Sequence, residues 1–174
     1  GITLSGASAS ATDLAAIEAG TTGVINASSV TTLTGTAADV RAVYAAIAAG
    51  QITGLGGAGI TLSGASASAT DLAAIDAGTN GVINASSVSV SGSVDTVTGL
   101  LKGSPTSFLG LGDKGVLLDN SLVNAKSLNA LDLLVKGVID ASRSNALEGY
   151  LGDLLISYSA NNLTAISGPV SYTH

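Results

Sequence analysis

Residues Gly1–Val30, GITLSGASASATDLAAIEAGTTGVINASSV, return at Gly59–Val88 with two changes, Glu18 to Asp76 and Thr22 to Asn80. A near-copy displaced by 58 residues restricts the chain to folds in which one supersecondary unit stacks on the next. The copying continues. Val116–Ser142 overlies Ile60–Ser86 at an offset of 56, which places Leu118 on Leu62, Leu128 on Leu72, Leu131 on Ile75 and Asp132 on Asp76. Between these copies, Leu33–Ile52 matches Leu147–Ile166 without a gap, and Leu33/Leu147, Gly35/Gly149, Asp39/Asp153, Tyr44/Tyr158 and Ile52/Ile166 coincide. Val90–Gly115 is the middle member of that set. Two unit types therefore alternate three times.

An apolar residue in a T-L-S-G or T-L-T-G strand recurs at Leu4, Leu33, Leu62, Val90, Leu118 and Leu147, with spacings of 29, 29, 28, 28 and 29. That spacing predicts an α/β repeat solenoid, leucine-rich-repeat-like, of about six coils of 28–29 residues. Parallel strands form one side and Ala-rich helices the other. The expected domain is a single solenoid over 1–168, with coils at about 2–30, 31–59, 60–88, 89–115, 116–144 and 145–168, and a tail over 169–174. Strands stack at about 4.8 Å and helices at about 8–10 Å, but Ala15, Ala16, Ala19, Ala45, Ala46 and Ala48 let the helices approach. A gently curved or nearly straight rod follows. Because the first residues fall inside a repeat, the chain reads as a segment of something longer.

Within a coil the local signals are plain. Ile2-Thr3-Leu4-Ser5 alternates as a half-buried strand. Ser10 and Asp13 then mark a helix start, with Leu14, Ile17 and Ala11 as its buried stripe. Thr36 to Asp39 repeats the start, and Val40, Val43, Tyr44 and Ile47 face inward. Ser93–Lys102 reads as a poor helix, containing Thr96, Thr98 and Gly99 and stopped by Ser104-Pro105. Leu128, Leu131, Leu133, Leu134, Leu151, Leu154, Leu155 and Ile156 make the last two coils richer in large apolar residues. These coils read as a stabilised terminal section that covers an open core edge. Gly168-Pro169 ends the last coil.

Composition narrows the function classes. Hydrophobic residues are 46% but aromatics only 3%, with no Trp, Met or Cys. The core must be aliphatic, and disulfides and thiolate metal sites are excluded. Net charge is −6, and up to Leu101 the one base is Arg41. A basic footprint for nucleic acid is missing, and no apolar run is long enough for a membrane span.

Motifs favour structural roles. Gly54-Leu-Gly-Gly-Ala-Gly59 and Gly110-Leu-Gly-Asp-Lys-Gly115 fit G-x-G-x-x-G, but a strand rather than a helix follows each, so they read as turns. Asn26, Asn84 and Asp140 share one repeat position. They read either as a polar ligand or calcium array or, preferably, as Asx residues bonding their own turn. Asp113, Asp119 and Asp140 could contribute oxygens to calcium, yet no calcium-loop spacing is present. No cofactor is expected, with calcium the open alternative. Asp13, Asp39, Asp71 and Asp153 read as helix-start acids. G-x-S-x-G is absent and the single His174 is terminal, so no catalytic set is expected. Asn26, Asn84 and Asn162 head N-x-[ST] triplets that arise easily in so Ser/Thr-rich a chain. One surface feature is sharper. Thr3, Ser5, Thr32, Thr34, Thr61, Ser63, Ser89 and Ser91 flank the strand anchors of four coils and predict an outward hydroxyl ladder. Such a face would serve a glycan- or ice-binding module.

Together LTGTAADV, SATDLAAIDAG, GVINASSV and ITGLG resemble the repeats of very large secreted or cell-surface proteins of cyanobacteria and other bacteria. The resemblance covers essentially the whole chain, more loosely from Val90 onward. It implies an extracellular or cell-surface structural or adhesive segment without chemistry of its own. The expected partners are neighbouring repeats or further copies of the chain.

Overall fold

The computed structural model describes residues 1–103, 106–159, 163–164 and 170–172. Along the chain run β1 (Ile2–Thr3), β2 (Ser8–Ser10), α1 (Ala11–Ala19), β3 (Ile25–Asn26), β4 (Thr32–Gly35), α2 (Ala37–Ala48), β5 (Ile52–Thr53), β6 (Gly59–Leu62), β7 (Ser66–Ser68), α3 (Ala69–Gly78) and β8 (Ile83–Asn84). Then follow β9 (Ser89–Gly92), α4 (Val94–Gly103), β10 (Phe108–Leu109), β11 (Val116–Leu118), β12 (Leu122–Asn124), α5 (Ala125–Asp132), β13 (Ile139–Asp140), β14 (Ala146–Gly149), α6 (Leu151–Ser159), β15 (Leu163–Thr164) and β16 (Val170–Tyr172). Among the described residues this is an alternating α/β architecture of six helices and four parallel sheets. The expectations placed on Ser104, Pro105, Asn162, Ile166, Gly168, Pro169 and His174 lie outside the described residues or their described side chains.

Helix starts follow the local sequence. The side-chain oxygens of Ser10, Thr36, Ser68 and Asn124 accept from the backbone N–H groups of Asp13, Asp39, Asp71 and Ser127. Each satisfies one of the orphan donors of a first turn. Ser93 does the same for Thr96 N–H at 3.1 Å. The segment that reads as a poor helix is thus a ten-residue one, α4. Its Val94, Val97 and Leu100 are buried, and tertiary packing outweighs the weak propensity of Thr and Gly.

Strands fall into three kinds. Leading strands run into a helix (β2, β4, β7, β9, β12, β14), trailing strands follow one, and linking strands (β1, β6, β11, β16) stand alone between units. The second sheet is ordered β10-β8-β6-β4-β2 and the third β15-β13-β11-β9-β7. Each holds two leading strands, one linking strand and two trailing strands, with the linking strand in the middle. The outer sheets, β1-β3-β5 and β12-β14-β16, hold three strands each.

This register corrects the equal spacing read from the strand anchors. Leu33 pairs with Ala9 on one side and Ile60 on the other, whereas β1, just before Leu4, lies in a different sheet. Counted between leading strands, Ala9 to Leu33 is 24 residues, Leu33 to Ala67 is 34, Ala67 to Val90 is 23, Val90 to Val123 is 33 and Val123 to Leu147 is 24. Units of two lengths alternate because every second step carries a glycine loop and a linking strand. The segment read as a tail contains β16, which pairs with β14.

Alternation sorts the sheets into an inner and an outer face. Ile2, Ile25 and Ile52 form one apolar row, Ala9, Leu33, Ile60, Ile83 and Phe108 a second, and Ala67, Val90, Val116 and Ile139 a third. The helices close over these rows with Leu14, Val40, Val43, Leu72, Ile75, Val97, Leu128 and Leu131, forming one continuous aliphatic core. The large residues of the last two units divide. Leu128, Leu131 and Leu154 are buried, but Leu133, Leu134, Leu151, Leu155 and Ile156 are exposed. These five are not packed against a core edge: Leu133 and Leu134 lie in the turn after α5, and Leu151, Leu155 and Ile156 on the exposed side of α6.

Candidate functional site

The outer sheet faces carry the polar side chains, so the hydroxyl ladder is the first candidate. Six of its eight members lie in strands, and these belong to three sheets. Thr3 lies in β1, beside Asn26 and then Thr53. Thr32 and Thr34 lie in β4 and Thr61 in β6, with Thr34 opposite Thr61 and Thr32 opposite Gly59. Ser89 and Ser91 belong to β9 in the third sheet. Ser5 and Ser63 follow strands rather than lie in them. Of the eight, only Thr34 and Thr61 are cross-strand neighbours.

The rows that do exist include residues outside that set. Ser10, Thr34, Thr61 and Asn84 stand side by side in the second sheet, and Ser68, Ser91, Leu117 and Asp140 in the third. The signal that could have found them is the helix cap. In both S-A-S-A-T-D and T-L-T-G-T-A-A-D a hydroxyl stands three residues before Asp, which marks Ser8–Ser10 and Thr32–Gly35 as the strands that lead into helices, although matching the caps would set Ser8 on Thr34, two residues from the observed Ser8 on Thr32. Several of these hydroxyls serve the fold. Ser10 and Ser68 cap helices. Thr34 Oγ1 donates to Ala9 O at 3.4 Å and Thr53 Oγ1 to Ile25 O at 3.3 Å.

The shared Asx position is a turn device in all three copies. Asn26 Oδ1 accepts from Ser28 N–H at 3.0 Å, Asn84 Oδ1 from Ser86 N–H at 3.1 Å, and Asp140 Oδ1 from Ser142 N–H at 2.9 Å. Asn84 Oδ1 also accepts from Ser86 Oγ at 2.7 Å. Hydrogen bonds from the Ser142 side chain and backbone hold the Asp140 carboxyl below its ordinary range, with a smaller contribution from Arg143.

The Asn26 and Asn84 turns each lie under a glycine of the next unit. A Cβ at Gly54 would come within 2.5 Å of Ser28 N, and one at Gly110 within 2.5 Å of Ser86 Cβ. Both glycines have positive φ, +92° and +70°, so conformation and space alike require glycine there. The G-x-G-x-x-G loops run from a trailing strand into a linking strand, and no helix N-terminus faces them.

Helix-start acids bind neighbours. Asp39 Oδ2 accepts from Thr36 Oγ1 at 2.9 Å and from Thr12 Oγ1, one unit back, at 3.2 Å. Asp71 pairs with Arg41 at 2.7 Å. Asp113 pairs with Lys136 at 3.3 Å, while Asp140 serves its own turn. Asp113, Asp119 and Asp140 therefore do not converge, and no group of three or more His, Asp or Glu among the described residues is placed to hold a metal ion. No helix among the described residues is long and apolar enough to cross a membrane.

Among the described residues are several clefts open to solvent. One of about 270 Å³ is lined by Leu101, Phe108, Leu111 and Leu134 beneath the Asp113–Lys136 pair. Another, of about 340 Å³, opens beside Leu4, Ala9, Leu14, Ile17 and Val30 on the first unit. A buried side-chain hydrogen bond within the second unit belongs to Tyr44. Its hydroxyl donates to Leu55 O at 3.3 Å. Burial pushes its pKa up, against a smaller downward pull from Thr79. No protein-family model, curated protein or solved structure matches this chain.

Proposed function

We propose that the chain is a non-catalytic structural segment of a large extracellular or cell-surface protein, serving as stalk, filament, coat or adhesin spacer. In this reading it is a leucine-rich-repeat-like solenoid whose units are rungs of a rod. One observation carries the proposal. The joint from unit one to two and that from unit three to four are built from the same parts, an Asx turn beneath a glycine: Ser28 under Gly54, and Ser86 under Gly110. A ruler needs identical joints, whereas an active site needs one unit to diverge. The linking strands support a nearly straight rod. Strands stack more closely than helices, about 4.8 Å against about 8–10 Å, and β6 adds a strand between β4 and β8 on the thinner side. That addition offsets the mismatch that would otherwise bend the array.

Duplicating residues 59–114 in frame tests the reading. Small-angle scattering should show the maximum dimension growing by a constant increment, roughly 16–20 Å for the two added helices, with cooperative unfolding retained. An unchanged dimension, or an insert that unfolds separately, would sink the ruler. Antibody labelling of intact against permeabilised source cells tests the surface location.

A further inference from the structure

We infer that the cleft between units four and five binds one neutral phenol ring, whose hydroxyl donates to Asp113. This goes beyond the structural role above and does not depend on it. The cleft lies within the stack. α4 packs on α3 as well as on α5, and α5 packs on α6, so the units on both sides of the cleft already have their outer neighbours.

The equivalent joint between units two and three shows what this one lacks. There the Tyr44 ring lies against Gly78, where a Cβ would sit 2.9 Å from Cδ1. Its hydroxyl donates to Leu55 O at 3.3 Å. Tyr44, Ile52 and Leu55 are all sealed in the core. By the repeat, their counterparts are Leu101, Phe108 and Leu111. All three are only partly buried, and together they line the cleft of about 270 Å³. Leu134 stands where Gly78 stands; it lines the cleft as a further wall and is itself 38% exposed. The chain thus supplies its own ring at one joint and leaves apolar surface uncovered at the other. A cleft smaller than the roughly 300–1,000 Å³ of drug-sized pockets suits a single ring.

The remaining lining is charged. Asp113 and Lys136 border the cleft and stand where Gly57 and Asn80 stand, so this ion pair accompanies the joint without a ring and is absent from the joint that has one. Lys136 Nζ meets Asp113 Oδ1 at 3.3 Å. A carboxylate accepts at both oxygens, and Asp113 Oδ2 has no partner among the described residues, which leaves it open to an O–H donor. An anion would meet the Asp113 carboxylate and the chain's net charge of −6, and a cation would compete with Lys136. A neutral phenol, apolar in its body and a donor at its tip, satisfies both parts of the site.

The probe is p-cresol, the tyrosine side chain as a free molecule, titrated into the full chain carrying labelled leucine methyls. Saturable shifts at Leu101, Leu111 and Leu134 are expected. Toluene, the same ring without the hydroxyl, should bind about five-fold more weakly. Asp113→Ala should bring p-cresol down to the affinity of toluene and leave toluene unchanged. Leu101→Tyr combined with Leu134→Gly rebuilds the Tyr44–Gly78 pair and should abolish binding. A third ligand, N-acetyltyrosine amide, names the source of the ring: affinity equal to that of p-cresol assigns the site to a tyrosyl side chain, and weaker binding to a free phenol. Shifts confined to other leucines, such as Leu4 and Leu14 beside the 340 Å³ cleft, would overturn the inference, and this arm needs no variant to fold. Absence of saturation up to the solubility of p-cresol, undiminished binding in the double variant, or equal affinity for p-cresol and toluene would overturn it too. None of these outcomes bears on the scattering test of the ruler, so the two readings fail separately.

Discussion

Units one and three have almost the same sequence and different fates. Gly1–Val30 and Gly59–Val88 differ at two positions, yet Leu62, Ala67 and Ile75 are sealed in the core while Leu4, Ala9 and Ile17 are half covered. Asp71 holds Arg41, but Asp13 has no such cation opposite it among the described residues. Gly78 carries an aromatic ring and Gly20 carries none. The difference is the neighbour. Unit three lies under unit two, and the corresponding side of unit one is open. Burial in a stacked repeat is a property of the interface between units, so one residue type at one repeat position can be worth several kcal/mol in one copy and little in another.

The largest predicted contrast is at a glycine. A methyl group at Gly81 would fall inside the Ala58 carbonyl, 2.0 Å from its oxygen, while at Gly23 the nearest atom is Gly1 N at 2.9 Å, a far milder approach. Gly81→Ala should destabilise by roughly 3 kcal/mol or more and Gly23→Ala by under about 1 kcal/mol, as read from urea midpoints. Equal losses would break the comparison. Next comes the helix core. Ile75→Ala should cost about 2–5 kcal/mol, and Ile17→Ala about half as much. Chemical denaturation at fixed protein concentration measures both.

A third prediction brings in the third copy. Ser144 is fully buried with its hydroxyl unpartnered, at the position held by the buried Val30 and Val88. Ser144→Val should stabilise by about 1–2 kcal/mol, because it replaces an unsatisfied polar group with the apolar one the site already accommodates twice. Thermal unfolding should shift upward by about 3 °C, and a downward shift would mean that the site differs from its two relatives.

Smaller effects depend on pH. Burial raises the Tyr44 pKa, so the folded chain holds that phenolic proton more tightly than the unfolded one. The contribution is complete below about pH 10 and is lost as pH rises through the folded value. Tyr44→Phe should remove this alkaline loss, followed by equilibrium unfolding against pH, whereas Tyr158→Phe on the exposed counterpart should leave it in place. Asp140 behaves oppositely. Its pKa is lowered, so its contribution is present above about pH 4 and fades as pH falls through the lower folded value. Asp140→Asn should be nearly neutral at pH 7 and flatten the acid limb, because Asn84 makes the same turn bond.

Local features were legible because their causes lie within a few residues. Ser10, Thr36 and Ser68 cap the helices they precede, and Asn26, Asn84 and Asp140 bond the backbone two residues on. The inward stripe of Val40, Val43 and Tyr44 follows from helical spacing. The hydroxyl ladder failed for the opposite reason. Thr3-Leu4-Ser5 and Thr32-Leu33-Thr34 look alike, but one adjoins a linking strand and the other is a leading strand. A strand of two to four residues has no intrinsic register, because its partner is chosen by packing across 23 or more residues.

From sequence alone came the number of repeats, the alternation of two unit types, the aliphatic core, the helix starts at Ser10 and Thr36 and the three Asx turns, but not the Asn124 cap of α5. These depend on periodicity and on bonds closed within one turn of chain. Tertiary structure decided which strands pair, how they divide among four sheets, and which of two near-identical copies is sealed and which is open. Those outcomes depend on what lies against each face, and a residue carries no local record of its neighbour across the stack.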